Sequence, residues 1–119
     1  MEWERVAEEV EDLGKSEQAA VESLVVQILV HLYKLAWSQR AEPRGHWRAE
    51  VRTFRGNALR KLTPTIRAKV DSELEALHKE AVAIAGDLMA SEEPATVADL
   101  DLRWRLAQVL GETDDPLAN

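Results

Sequence analysis

Residues 16–39 read SEQAAVESLVVQILVHLYKLAWSQ, and this stretch decides the fold. It holds no Gly or Pro, so nothing interrupts a helix from Ser16, a natural cap, to Gln39. Apolar residues occupy most of the circumference: Val21, Leu24, Val25, Val26, Ile28, Leu29, Val30, Leu32 and Leu35. Ser23, Gln27, His31, Lys34 and Ser38 form the exception, a polar line about 80° wide at 100° per residue. A helix wet on one thin line is the central helix of a bundle, or it meets a second chain. Glu22, Gln27, His31 and Lys34 make the window too polar for a span facing lipid, and the acidic start Met1-Glu2-Trp3-Glu4 lacks the basic and apolar regions of a signal peptide. The expectation is a soluble, cytoplasmic protein.

Outward from this helix, the same periodicity recurs. Trp3, Val6, Ala7, Val10 and Leu13 share a face and predict a first helix over 3–13, stopped by Gly14. Pro43 and Gly45 mark residues 40–45 as a connection. A third helix then runs to about Leu62, with Trp47, Val51, Phe54 and Ala58 on one side. Thr63-Pro64 is a cap followed by proline at the first helical position, where no N–H is needed, so the third and fourth helices meet at a tight corner. The fourth runs to about Ala90 on Ile66, Val70, Leu74, Leu77, Ala81, Ile84, Ala85 and Leu88. A loop at 91–95 precedes a short helix within 96–110 that carries Leu100, Trp104 and Ala107. Gly111 ends it, and residues 112–119 form an acidic tail expected to be flexible. No window alternates with period two. The sequence therefore predicts one all-α domain over 1–119: an antiparallel bundle of three long helices with a short helix at each end.

The 119 residues carry 15 Lys+Arg against 22 Asp+Glu, a net charge of −7, and no Cys. The missing Cys excludes a disulfide scaffold, thiolate metal sites and a Cys nucleophile. The charge is unevenly spread. Arg40, Arg44, Arg48, Arg52, Arg55, Arg60, Lys61, Arg67 and Lys69 face only Glu42 and Glu50 within 40–69, so that window is +7 and the remainder −14. Arg44, Arg48, Arg52 and Arg55 fall within about 80° on the third helix. Residues 1–12 hold Glu2, Glu4, Glu8, Glu9, Glu11 and Asp12 against Arg5. The basic stripe either meets this acidic helix, is solvated, or binds an anion or partner.

Motifs for chemistry are sparse. Glu75-Ala-Leu-His78 has the Glu-x-x-His spacing of di-metal bundles, which need a second such motif and two further Glu; His31 and His46 supply none. His31, His46 and His78 lie on three helices and could ligate a metal only by convergence. There is no nucleophile elbow, phosphate loop or His-Glu-x-x-His, so no catalytic residue is assigned. The negative net charge opposes nucleic-acid binding, and Trp47 and Phe54 read as core. No cofactor is expected.

Ala7-Glu8-Glu9-Val10-Glu11-Asp12-Leu13-Gly14 followed by Ser16-Glu17 resembles the signature of a bacterial family of small helical proteins, domain of unknown function 29. His31-Leu32-Tyr33-Lys34, then Trp47 with Arg48, Arg52 and Arg55, then Trp104 to Leu117, resemble its later features in order, covering roughly Glu2 to Leu117. The resemblance implies an all-α bundle and no established activity. It also implies a further N-terminal segment before the position of Trp3; lacking it, the chain would keep apolar surface for a second copy. Glu8, Glu9, Glu11, Asp12, His31, Lys34, Arg48, Arg52 and Arg55 would form a polar network or partner site. The leading expectation is a non-enzymatic interaction module, a homodimer through the 16–39 helix or the surface near the N-terminus. The alternative is a small-ligand or metal-binding bundle with its polar cluster around His31.

Overall fold

The computed structural model describes residues 2–38, 42–90 and 103–118, with side chains over 15–38, 43–89 and 103–117. The chain is all-α, as the periodicity predicts. Helices α1 (Glu2–Trp37), α2 (Glu42–Lys61), α3 (Pro64–Ser72) and α4 (Leu74–Ala90) are followed by a single turn, α5 (Leu106–Val109), and a 3₁₀ turn at Pro116–Ala118. Among the described residues there is no strand.

Three boundaries differ from the sequence reading, each for a physical reason. The helix expected to stop at Gly14 continues, and the first two predicted helices are one 36-residue rod, about 54 Å long at 1.5 Å per residue. A glycine inside a helix costs only about 1 kcal/mol, and the helix formers on both sides outweigh it. Pro43 and Gly45 do not mark a connection. α2 already starts at Glu42, with Pro43 in the first turn, where its missing N–H is no loss. The predicted fourth helix is two helices. Ser72 Oγ donates to the Lys69 carbonyl at 2.6 Å, a back-bond that competes with the backbone ladder. The Glu73 N–H is shared between Lys69 O and Val70 O at 3.2 and 3.1 Å, and the helix is interrupted at that residue. The Thr63-Pro64 corner is as read: Thr63 Oγ1 accepts from the Ile66 N–H at 3.1 Å, capping α3.

α1 is the central helix. Val21, Val25, Ile28, Leu29 and Tyr33 are wholly buried, with α2, α3, α4 and α5 all packed on it. α2 returns antiparallel. Arg44 near its start donates to Leu35 O at 2.7 Å and Ser38 O at 3.1 Å, satisfying carbonyls that the end of α1 leaves open. At its far end Lys61 pairs with Glu17 at 3.5 Å. Val51 and Ala58 of α2, Ile66 and Val70 of α3, and Leu77, Ala81, Ala85 and Met89 of α4 complete the core. Lys15–Trp37 is, by length and composition alone, long and apolar enough to cross a membrane; half of that window is buried inside the fold. The molecule measures 59 × 25 × 21 Å, a long dimension close to that of α1 itself.

Candidate functional site: an arginine clasp on the C-terminal segment

The arginine stripe of α2 has one deeply placed member. Arg55 is only 7% exposed, and a buried guanidinium is tolerable only when its donors are met. They are met by residues 108–115. Nε donates to Val109 O at 2.8 Å and Nη2 to Gln108 O at 3.3 Å. Nη1 and Nη2 hold Asp115 Oδ2 and Oδ1 at 3.1 and 2.7 Å, the two-pronged geometry that the guanidinium plane favours. Arg48, two turns away, donates from Nη2 to Leu117 O at 2.6 Å. Arg67 of α3 grips Glu112 through Nη1 and Nη2, one to each carboxylate oxygen.

The segment is shaped to be held this way. α5 ends in a Schellman turn: the Gly111 N–H meets Gln108 O at 3.1 Å, and the Glu112 N–H meets Ala107 O at 2.8 Å. Gly111 takes φ +78, which glycine adopts without a Cβ clash. The chain then folds back. Asp115 Oδ1 accepts from the Leu117 N–H at 2.9 Å, a local turn bond typical of Asp, while it also receives Arg55. Leu106, Val109, Leu110 and Leu117 are buried. The tail expected to hang loose thus packs through Leu117.

Burial works to raise the Asp115 carboxyl; the bonds from Arg55 and the Leu117 N–H, with the charges of Arg55 and Arg48, outweigh it and hold the group below the ordinary carboxylate range. Glu112 is lowered by its bond to Arg67, against a smaller effect of burial.

A second set of contacts anchors the front of the segment. Tyr33, wholly buried in α1, lies with its hydroxyl 2.8 Å from His78 Nδ1. His78 Nε2 lies 2.9 Å from Trp104 O. A carbonyl can only accept, so Nε2 carries the proton, and in the neutral ring Nδ1 accepts from the Tyr33 O–H. The Tyr33 ring sits 5.0 Å from Trp104 and 5.3 Å from Trp37, centroid to centroid. The Trp37 indole N–H is buried without an acceptor among the described residues.

The remaining predicted residues are dispersed. His31 is half-buried, its Nδ1 donating to Gln27 O at 2.7 Å, its ring 5.5 Å from Phe54. Burial lowers its pKa; the Gln27 bond opposes and the Lys34 charge assists. Lys34 Nζ stands 4.8 Å over the Trp47 ring, a cation–π contact. His46 is exposed, 3.8 Å from Glu50, and Arg52 and Glu75 are exposed. Among the described residues no group of three or more His, Asp and Glu is gathered as a metal ion requires. Glu8, Glu9, Glu11 and Asp12 lie on α1, and their side chains fall outside the described residues. Sequence reasoning singles out Arg48 and Arg55 and reads Gly111 correctly as a helix end, but it misses the arginines' partners, Asp115 above all, and gives Tyr33 and Trp104 no role in a site. A glycine followed by acidic residues at the end of a short helix is the one signal for the clasp.

The family model for domain of unknown function DUF29 matches residues 1–113, which include α1, α2 and the arginine row. The chain belongs to the DUF29 family. The match spans α1 to the Schellman turn and stops just before Asp115. Neither the curated proteins nor the solved structures contain a match to this DUF29 chain.

Proposed function

We propose that this DUF29 protein is a non-enzymatic interaction module that associates with a second copy of itself through the first turns of α1. The observation that carries this reading is the unequal length of α1 and α2. α2 ends where Lys61 meets Glu17, yet α1 begins at Glu2, about 22 Å earlier along its axis. Trp3, Val6, Ala7, Val10 and Leu13 take one face of those turns by spacing, and a second copy supplies the partner for that face. The 16–39 helix, the other expected interface, is committed to its own chain over Val21–Trp37.

Light scattering from micromolar to sub-millimolar protein tests the proposal. The expected result is a dimer that Val6→Glu and Val10→Glu convert to a folded monomer, with helix content by circular dichroism unchanged. A strict monomer at every concentration would overturn it.

A further inference from the structure

The turns of α1 that precede α2 carry their apolar positions on the side that the core occupies further along. Trp3 and Val21, Val6 and Leu24, Ala7 and Val25, and Val10 and Ile28 are each 18 residues apart, five full turns, and so share an azimuth. Val21, Val25 and Ile28 are wholly buried under the helices packed on α1, and Leu24 packs against the same core. A helix laid along the 3–13 face therefore lies in line with the chain's own α2 and α3. It has to end near Glu17, where Lys61 closes the last turn of α2. A second α1 laid parallel would continue past that point and run into α2 and α3. An antiparallel one ends there. The spacing suits that direction. Trp3, Val6, Val10 and Leu13 are symmetric about Glu8, so a two-fold axis beside Glu8 brings position 3 of one copy opposite position 13 of the other, and 6 opposite 10. The seam stops at the next position of the repeat, Glu17, which pairs within its own chain.

This register brings the first turn of the second copy's α1 end-on to the corner between α2 and α3. The two are opposite in charge. Residues 1–12 hold six carboxylates against Arg5, a balance of −5, and two of the six, Glu2 and Glu4, are in the first turn. Arg60 and Lys61 stand in the last turn of α2, and both are exposed. We propose that the α2–α3 corner, with Arg60 at its edge, is the docking surface for the acidic first turn of a second copy's α1, the two α1 helices running antiparallel. This rests on the self-association reading, to which it adds an orientation and a second contact surface. The stretch of α1 beyond α2, about 22 Å, is then the span from one copy's corner to the other's, and a symmetric dimer makes the corner contact twice.

The chain has no Cys, so single introduced thiols report the arrangement of the dimer. Glu2→Cys and Ser16→Cys chains, mixed and oxidised, should form the mixed disulfide. Antiparallel pairing about Glu8 puts position 2 of one copy beside position 16 of the other and separates like positions by about 20 Å. Arg60→Glu should weaken the dimer about tenfold by sedimentation equilibrium, since an exposed ion pair is worth up to about fivefold and the contact occurs twice. Glu2→Lys with Glu4→Lys should restore much of that loss in the Arg60→Glu chain. Arg60→Gln, expected to weaken the dimer about threefold, serves should charge reversal disturb folding. Disulfides between like chains with none between unlike ones would overturn the antiparallel arrangement. A dissociation constant unmoved by both Arg60 variants would overturn the corner as docking surface. Either result leaves self-association through α1 standing, whereas a strict monomer at every concentration overturns that reading and this one together.

Discussion

Gly111 and Arg55 fit against each other with no room for a side chain: a Cβ at 111 would lie 2.8 Å from Nη1, 3.0 Å from Cζ and 3.3 Å from Nε. Arg55 cannot swing aside, because its guanidinium is fixed by Val109, Gln108 and Asp115. Gly111→Ala therefore meets both a φ of +78 and a pinned neighbour, and should cost about 2–3 kcal/mol. At Gly45 and Gly56 a Cβ would meet nothing within 4 Å among the described residues. Both lie within α2, so Gly45→Ala and Gly56→Ala should stabilise by about 0.5–1 kcal/mol. Urea denaturation of the three variants gives the comparison its opposite signs.

Removing one partner of the clasp should cost more than the pair contributes, because a charge is left behind in a site from which water is largely excluded. Arg55→Lys keeps the charge and loses the fork, and should destabilise by about 1–3 kcal/mol; Asp115→Asn should do the same. The double variant should fall short of the sum, since each single change breaks the same contact. Hydrogen exchange should show the loss at amides 109–112 well before it reaches α1.

Acid should loosen the same region. The Asp115 and Glu112 carboxyls lie below their ordinary values in the folded chain, so their contribution is present above the unfolded carboxylate pKa. It disappears as pH falls through the lowered folded values. Tryptophan fluorescence, with Trp104 next to the clasp, should shift in this acid range in the wild type and much less in Asp115→Asn.

His31 acts at a higher pH. Its folded pKa lies below 6.5, so the unfolded chain takes up the proton first. Stability that is present above about 6.5 then declines as pH falls toward the lowered folded value. His31→Asn, which keeps a donor for Gln27 O, should melt at a temperature nearly constant across that window in differential scanning fluorimetry. An unchanged slope in the variant would assign the effect elsewhere.

The Tyr33–His78 bond should be worth about 1 kcal/mol net. Tyr33→Phe removes the donor and leaves His78 Nδ1 partly buried without it, so a cost of about 1–2 kcal/mol is expected by chemical denaturation. His78→Phe, which also gives up the bond to Trp104 O, should cost more and should loosen Trp104, read as a change in its fluorescence anisotropy.

How much of this is legible in the sequence follows from the range over which each interaction acts. Thr63-Pro64 announces its corner because cap and proline act within one turn, and the 16–39 stretch announces a central helix because burial imprints its period. The break between α3 and α4 leaves that period untouched, since it is confined to Glu73. Gly14 gives a false stop because a glycine's preference is weaker than two helices' worth of good formers. The arginine stripe is visible as charge, but its partners are not. Arg55 and Asp115 are 60 residues apart, and Asp115 looks like any other residue of an acidic tail. Tyr33 reads as one more core residue, with nothing nearby in sequence to point its hydroxyl at His78.

The uninterrupted passage of α1 through Gly14 makes the helix a phase-keeping shaft. With 3.6 residues per turn, the azimuth of Glu8, Glu9, Glu11 and Asp12 relative to the core positions Val21, Val25 and Ile28 is set by the count of residues between them. Inserting one residue between Gly14 and Val21 would rotate the acidic turns by about 100° about the bundle, and inserting seven would bring them back to within about 20°. A broken helix would have absorbed such changes in its joint. Here spacing is itself a determinant, and orientation at one end of the rod is inherited by the other.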